Sequence, residues 1–465
     1  MIVLRKHLIV YLLFSILFSA CTPSNDSNIP TPQASATVKP SVTGTATVTS
    51  SRLGIQQEAL HGVPITIWNP WFGAQASLFE SQVDQFNKTN QWGIVAKAVS
   101  LENYNELYSQ TSDALKNGAT PQVVIALPEY ALGWKDRVVD LNPYVNDADY
   151  GMTPLEISEF ATVFWNQDEV DGVRYGVPAQ RAARLMLYNE SWARELGLNA
   201  PPTTSAEFQM QACTAHDALM KDSDPNNDAL GGWIVDANAM TALSWLYAFN
   251  GGVQEEKGFR FLTPENIETF KYLKLLQQKG CAWVASSDTP IYDRFAARQA
   301  LFATVGLEEL VDVARTMKSS GNNDQWTVLP FPGKDHESLA VYGSSFVMFK
   351  SDDVTQLASW LFIRWMLSVD VQTKWVQSSG LFPLRSSMMD RLASYKTDHP
   401  QWGAAVELIP QGQIAPQLGS WRLVRMMLED GFADMFDVIR HPDLTDGQVP
   451  VILKQMDDTA SELSK

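Results

Sequence analysis

Trp71 closes the run "VPITIWNPW", and Glu129 and Tyr130 follow at once on "VVIALP", so each stands where a short apolar run breaks off into turn-like residues. An indole, a carboxylate and a phenol so placed can grip a small molecule by ring contact and hydrogen bonds. They supply no nucleophile with a base beside it. Covalent chemistry finds no better footing elsewhere: there is no G-x-S-x-G elbow, H-E-x-x-H zinc helix, Walker loop or G-x-G-x-x-G fingerprint. The six histidines, His7, His61, His216, His336, His399 and His441, are scattered, with none paired at ligand spacing. "GSSF" offers Ser345, but the nearest lysine, Lys350, is five residues on, and the segment reads as a tight turn into a strand. "DSDPNND", Asp222 to Asp228, alternates oxygen side chains as calcium loops do. Pro225 comes fourth, Asn227 replaces the usual glycine and Trp233 sits where a bidentate glutamate belongs, so an Asx-rich surface turn is expected, with no metal and no cofactor. Carboxylate pairs abound, and counting them leaves a glycoside hydrolase open.

The elements that must position these side chains alternate. "ITIW" reads as a strand, and "QASLFESQVDQFNKTN" has Leu78, Phe79, Val83 and Phe86 at helical spacing. "WGIVAKAVS" and "ENYNELYSQTSDALKNG" repeat the pair, and "PQVVIALP" is a wholly apolar strand of the kind buried on both faces of a parallel sheet. This is the pattern of a doubly wound α/β domain, with ligands at the carboxyl ends of its strands. From about Gly176 an extended crossing segment leads to a helix, a further helix starts at Thr204, and a largely helical stretch runs to about Ser320. "QWTVLPFPGK" and "YGSSFVMFK" return to strand character, then "QLASWLFIRWMLS" and "VQTKWVQSS" to amphipathic helix, with "SGLFPLR" a second crossing. About 400 residues with such alternation predict two domains crossed more than once by the chain.

The N-terminus has a different composition. Arg5 and Lys6 precede an apolar run from Leu8 to Phe18 and the small residues Ser19 and Ala20, the layout of a signal peptide over residues 1–20. "FSAC" resembles the bacterial lipobox, with Phe18 where leucine is usual, which makes Cys21 the expected lipid-bearing residue. Residues 21–60, rich in Thr, Ser and Pro, then form a disordered tether. With Cys21 assigned to lipid, Cys213 and Cys281 remain as a pair in an oxidising compartment, and a disulfide is expected between them, two buried thiols being the alternative. A formal charge of −17 argues against nucleic acid as a partner. Fifteen Trp, twenty-one Phe and thirteen Tyr suit carbohydrate faces and ordinary cores alike.

"ITIWNPW", "YGVPAQRAARLMLYNESWARELGL", "APPTT", "AFNGGV", "QWTVLPFP", "YGSSFVMFKSDD", "QLASWLFIRWMLSVDVQTKWVQSSGLFPLR" and "APQLGSW" occur in the order found in family 1 extracellular solute-binding proteins of ABC importers, the maltose-binding-protein-like group, and the chain resembles that family over residues 61–465. The resemblance implies a two-lobed periplasmic-binding-protein-like α/β fold (type II) with a central cleft. It places residues 61–176 and 328–377 in an N-terminal lobe and 180–325 and 386–465 in a C-terminal lobe, with hinges near Gln180, Pro330 and Phe382. It implies a monomeric, non-enzymatic, lipid-anchored receptor outside the bacterial cell membrane that hands a carbohydrate to permease subunits.

The same resemblance points to residues. Trp421 matches the position where sugar-binding members stack an aromatic ring on the ligand, with Tyr342 a further aromatic candidate. Asp236 and Asn250 align with second-lobe cleft positions, capping and turn formation being their other reading. Glu308 falls near a cleft aromatic of relatives, a departure from a maltose-like pocket. Arg181 and Arg184 lie on the crossing segment, where either reaches an anionic ligand or a salt bridge across the hinge. An anion such as glycerol phosphate, clamped by Arg181, Arg184 or Arg385, is the alternative cargo on the same scaffold.

Overall fold

In Pro64–Asn69, Ile65 and Ile67 turn inward and are almost wholly buried, so one face of the strand is committed to the core. The structure is a computed structural model that describes residues 53–285, 289–437 and 447–464. The residues expected as a leader, Cys21 and His441 lie outside the described residues. The turn Gln57–Leu60 packs with Leu60 fully buried, so the last residues of the segment expected as tether belong to the fold.

Pro64–Asn69 pairs in parallel with Val95–Ser100 on one edge and with Val123–Ala126 on the other. All four residues of Val123–Ala126 are buried, as a strand covered on both faces should be. The linking helices are Gly73–Thr89, which buries Phe79, Val83 and Phe86, and Tyr104–Asn117. The latter starts at Asn103, whose side chain accepts from the Glu106 N–H at 2.8 Å, and stops at Gly118, whose φ of 73° suits glycine. Ser345–Met348 joins antiparallel to Val123–Ala126, and Val177–Pro178, antiparallel to Ser345–Met348 in turn, completes this five-stranded sheet.

The second sheet is organised on Ala182–Asn189. Phe302–Gly306 pairs antiparallel along one edge, while Trp326–Leu329 and Glu337–Tyr342 share the other. Beyond Phe302–Gly306 lie the parallel strands Trp233–Val235 and Ala282–Val284. Among the described residues, the stretch read as largely helical thus contributes three strands to this sheet, and Gln254–Glu255 and Gly258–Phe259 pair separately. The three are short runs, "WIV", "AWV" and "FATVG", and for runs so short periodicity does not separate strand from helix.

The border expected at residue 328 is corrected. Trp326–Leu329 and Glu337–Tyr342 both pair with Ala182–Asn189, and the chain returns to the first sheet only at Gly343 and Ser344, so Pro330 is not a crossing point. The segments that do cross lie side by side. The Ala179 and Gln180 N–H groups donate to the Ser344 carbonyl at 2.9 and 3.0 Å, and the Phe382 N–H donates to the Arg181 carbonyl at 3.0 Å. Gly343 has φ 144°, and a Cβ there would sit 2.2 Å from the Gln180 carbonyl oxygen, so only glycine permits this approach.

Arg181, wholly buried, ties the crossing together. Its Nη2 donates to Asp168 Oδ2 at 2.6 Å and to the Phe164 carbonyl at 3.1 Å, and its Nη1 donates to the carbonyls of Gln180 and Ser344 at 2.8 and 2.7 Å. Ser345 Oγ donates to the other Asp168 oxygen. Farther off in the second lobe, Cys213 on the helix Ser205–Met220 is joined by a disulfide to Cys281, with their Cα atoms 4.6 Å apart.

Removing one member of a buried ion pair leaves the other charge without compensation, at about 3–5 kcal/mol. Arg181→Met is expected to lower unfolding free energy by about that amount, measured by urea denaturation. A loss no larger than that of a surface arginine would mean that Asp168 is satisfied without it.

Candidate functional site

Both lobes contribute walls to one cavity of about 160 Å³ at the crossing, lined among others by Glu129, Gln167, Arg184, Glu308, Tyr342 and Trp421. Glu129 arrives from the first sheet: Val123–Ala126 ends, Pro128 opens the helix Pro128–Gly133, and Glu129 is in its first turn. Tyr342 is the last residue of Glu337–Tyr342, directly before Gly343. Glu308 lies in the turn Leu307–Glu309 at the end of Phe302–Gly306. Trp421 opens the helix Trp421–Met435, and Arg425 and Glu429, one and two helical turns on, line the cavity with it.

Carboxylates dominate the polar contacts. Tyr342 donates its hydroxyl to Glu308, 3.2 Å from both carboxyl oxygens. Glu129 is 7% exposed, and its nearest cation, Arg425 Nη2, is 3.7 Å away. Burial raises the Glu129 carboxyl above the usual range, against the pull of Arg425 and Arg422. Glu308 is open to the cavity, yet loss of water between the cleft walls raises it too, against its own backbone hydrogen bond and Arg184. Burial likewise carries the Tyr104 hydroxyl up to about 12; a hydrogen bond with Ser344 opposes the rise, and Glu129 and Glu308 add to it.

Arg184 is not free to clamp an anion. Its Nε donates to Asp236 Oδ2 at 3.0 Å and its Nη1 to Glu309 at 3.1 Å, while Thr241 also donates to Asp236, at 2.7 Å. Burial works against this guanidinium, but Asp236 and Glu309 hold it charged. Arg181 is consumed in the crossing, and Arg385 donates through Nε to Glu159 at 2.8 Å. All three arginines considered for an anion clamp are therefore engaged with carboxylates.

Of the residues singled out in the sequence, Glu129, Glu308, Tyr342 and Trp421 meet at the cavity, and Asp236 stands behind Arg184. Trp421 has one ring face stacked on Phe259 at 5.9 Å between centroids and is 1% exposed, so it is core and cavity wall at once. Four other candidates do not line this cavity. Trp71 packs against Phe79 and Trp375, at 5.1 and 4.3 Å, in the core of the first lobe. Tyr130 is buried against Tyr108 and Trp134. Arg181 is wholly engaged by the crossing. Asn250 is exposed with φ 62°, a turn residue after the helix Ala239–Ala248. Asp222 and Asp224 accept from the backbone two residues on, at 2.7 and 3.0 Å, which are Asx turns.

Sequence reasoning missed Gln167, Asn238, Arg425 and Glu429, which also line the cavity. The spacing of Trp421, Arg425 and Glu429 places all three on one helix face and was a usable signal; Gln167, in an irregular segment, has none.

The chain spans most of the proteins it matches. The family of bacterial extracellular solute-binding proteins matches residues 81–407. A Brucella abortus protein described only as a binding protein is 22% identical over 317 residues, 65% of this chain and 71% of its own length. The cyclic α-maltosyl-1,6-maltose binding protein of Arthrobacter globiformis superposes with a TM-score of 0.71 at 17% identity, covering 87% of this chain and 99% of that one. The sugar-binding protein MalE of Xanthomonas citri gives 0.73 at 19% identity over 86% and 97%. UgpB of Mycobacterium tuberculosis, solved with glycerophosphocholine, gives 0.65 at 17% identity over 86% and 98%.

A carboxyl whose folded pKa is raised binds more protons folded than unfolded, so stability is greatest at low pH and falls as pH rises through the raised value. In the unliganded protein, Glu129→Gln is expected to flatten that decline above the ordinary glutamate pKa and to raise the melting temperature more at pH 8 than at pH 4. Thermal melts across that interval check it, and equal shifts at both ends would contradict it.

Proposed function

The chain belongs to the bacterial extracellular solute-binding protein family, and from that premise we propose that it captures a carbohydrate in the interlobe cavity and delivers it to the permease of an ABC importer. The observation that carries the reading is the composition of the cavity wall, in which the indole of Trp421 and the phenol of Tyr342 stand beside Glu129, Glu308 and Gln167. A sugar has an apolar CH face and a rim of hydroxyls that donate and accept, and such a wall complements both. At about 160 Å³ the cavity is below the roughly 300 Å³ lower bound of drug-sized pockets, which favours a monosaccharide in this arrangement of the lobes.

Work is done by closure. Groups from both lobes surround the ligand, and the closed form is what the permease reads. The helix Trp421–Met435 brings Arg425 toward Glu129 at the cavity wall and Arg422 over the Tyr108 ring at 4.3 Å, so contacts between the lobes extend past the cavity. Cys21 carries the lipid that holds the receptor at the outer face of the membrane, the following segment is its tether, and the receptor acts as a monomer. No helix among the described residues is long and apolar enough to cross a membrane. The engagement of Arg181, Arg184 and Arg385 with carboxylates argues against glycerol phosphate as cargo.

A thermal-shift screen against mono- and oligosaccharides, polyols and glycerol phosphate tests this, because a ligand at about a hundred times its dissociation constant adds about 2.7 kcal/mol. A sugar response is expected, absent in Trp421→Ala and weakened in Trp421→Phe, which keeps the packing on Phe259. Response to glycerol phosphate alone would overturn the carbohydrate reading. Cleavage of an oligosaccharide on incubation would instead indicate a hydrolase.

A further inference from the structure

The charges around the cavity do not balance. Glu129, Glu308 and Glu429 line it against Arg184 and Arg425. Arg184 is already matched by Asp236 and Glu309. Arg425 stands 3.7 Å from Glu129, and Arg422 lies over the Tyr108 ring. Glu308 accepts the hydroxyl of Tyr342, which brings no charge, and makes no ion pair; the nearby Arg184, which acts on it at longer range, is shared with Asp236 and Glu309. Glu429 accepts from the Ala239 N–H at 3.2 Å.

A second observation is independent of this acidic excess. Gln167, 4% exposed, lines the same cavity with its Oε1 buried and without a hydrogen-bond partner. A buried acceptor left unmade is costly, and a ligand N–H or O–H that reaches it removes that cost. The wall therefore combines negative charge with an unfilled acceptor, beside the rings of Trp421 and Tyr342.

Resting on the reading of the cavity as a carbohydrate site, we infer that the ligand is a sugar bearing a primary ammonium group, an amino sugar. An ammonium has three donors and one charge. It matches Glu308 in charge and leaves donors for neighbouring acceptors, while the sugar ring lies against the aromatic wall. A neutral sugar satisfies the acceptors but leaves the carboxylates unneutralised. A quaternary ammonium neutralises them but has no N–H for Gln167 Oε1.

Calorimetric titration of the full chain with the matched pairs glucose and glucosamine, galactose and galactosamine, and mannose and mannosamine tests this, with maltose and ribitol as further neutral ligands. In at least one pair the amino sugar is expected to bind about tenfold more tightly than its neutral twin or better, the scale of a desolvated charge pair. N-acetylation, which removes the charge, is expected to abolish that gain without any change to the protein. Glu308→Gln is expected to shrink the amino-to-neutral affinity ratio toward one. Neutral sugars binding as well as or better than their amino twins would overturn the inference and leave carbohydrate capture standing. Silence from every sugar and polyol would overturn both.

Discussion

The ion pair between Arg181 and Asp168 sits where the chain passes between its two sheets, and the geometry of everything around the cavity depends on it. A guanidinium fork can address several acceptors at once. Here it takes a carboxylate and the carbonyls of Phe164, Gln180 and Ser344, joining a segment before the first crossing to the second crossing. Burial removes water as a competitor, so the pair is worth little as net stabilisation but much as a fixed register. Gly343 lets the crossing backbones approach closely enough for this to form. Tyr342 and Ser344 flank that glycine, so the same register fixes where the Tyr342 phenol emerges into the cavity and where Ser344 meets Tyr104.

Around this fixed point the cavity is assembled from the ends of elements. Glu129, Glu308, Tyr342 and Trp421 each occupy a strand end or a helix start, where side chains project beyond the packed layers. Charged groups at such places are partly desolvated once two lobes face each other, which raises Glu129 and Glu308 together. The arginines show the complementary behaviour. Arg181, Arg184 and Arg385 are held by carboxylates of the protein itself, which turns apparent anion binders into structural fasteners.

Much of the fold was legible. The alternation from Pro64 to Ala126 is written in apolar runs and helical spacing, Thr204 marks a helix start, and the strand "VVIA" is apolar throughout because both its faces are covered. The strands at Trp233–Val235 and Ala282–Val284 were not legible, since three buried residues have no measurable period. The return crossing at Gly343 was misplaced at Pro330 because strand character alone does not tell which sheet a strand joins; pairing with Ala182–Asn189 decides that. Trp71 and Tyr130 had the same claim as Glu129 by position, and differ from it only in what packs upon them. Trp375 and Phe79 cover Trp71, while Tyr108 and Trp134 cover Tyr130.

By itself the sequence determined the α/β class, the two-lobed organisation through its resemblance to solute-binding proteins, and the absence of the common catalytic motifs, because these reside in local composition, period and spacing. Which carboxylates face a ligand, which arginines are spent on their own protein, and which aromatics are wall and not core were decided only by the tertiary structure. The reason is that a cavity is made of contacts between residues far apart in the chain, such as Glu129 with Arg425 and Glu308 with Tyr342. Desolvation and charge balance are properties of those contacts, and neither has a signature in any single stretch of sequence.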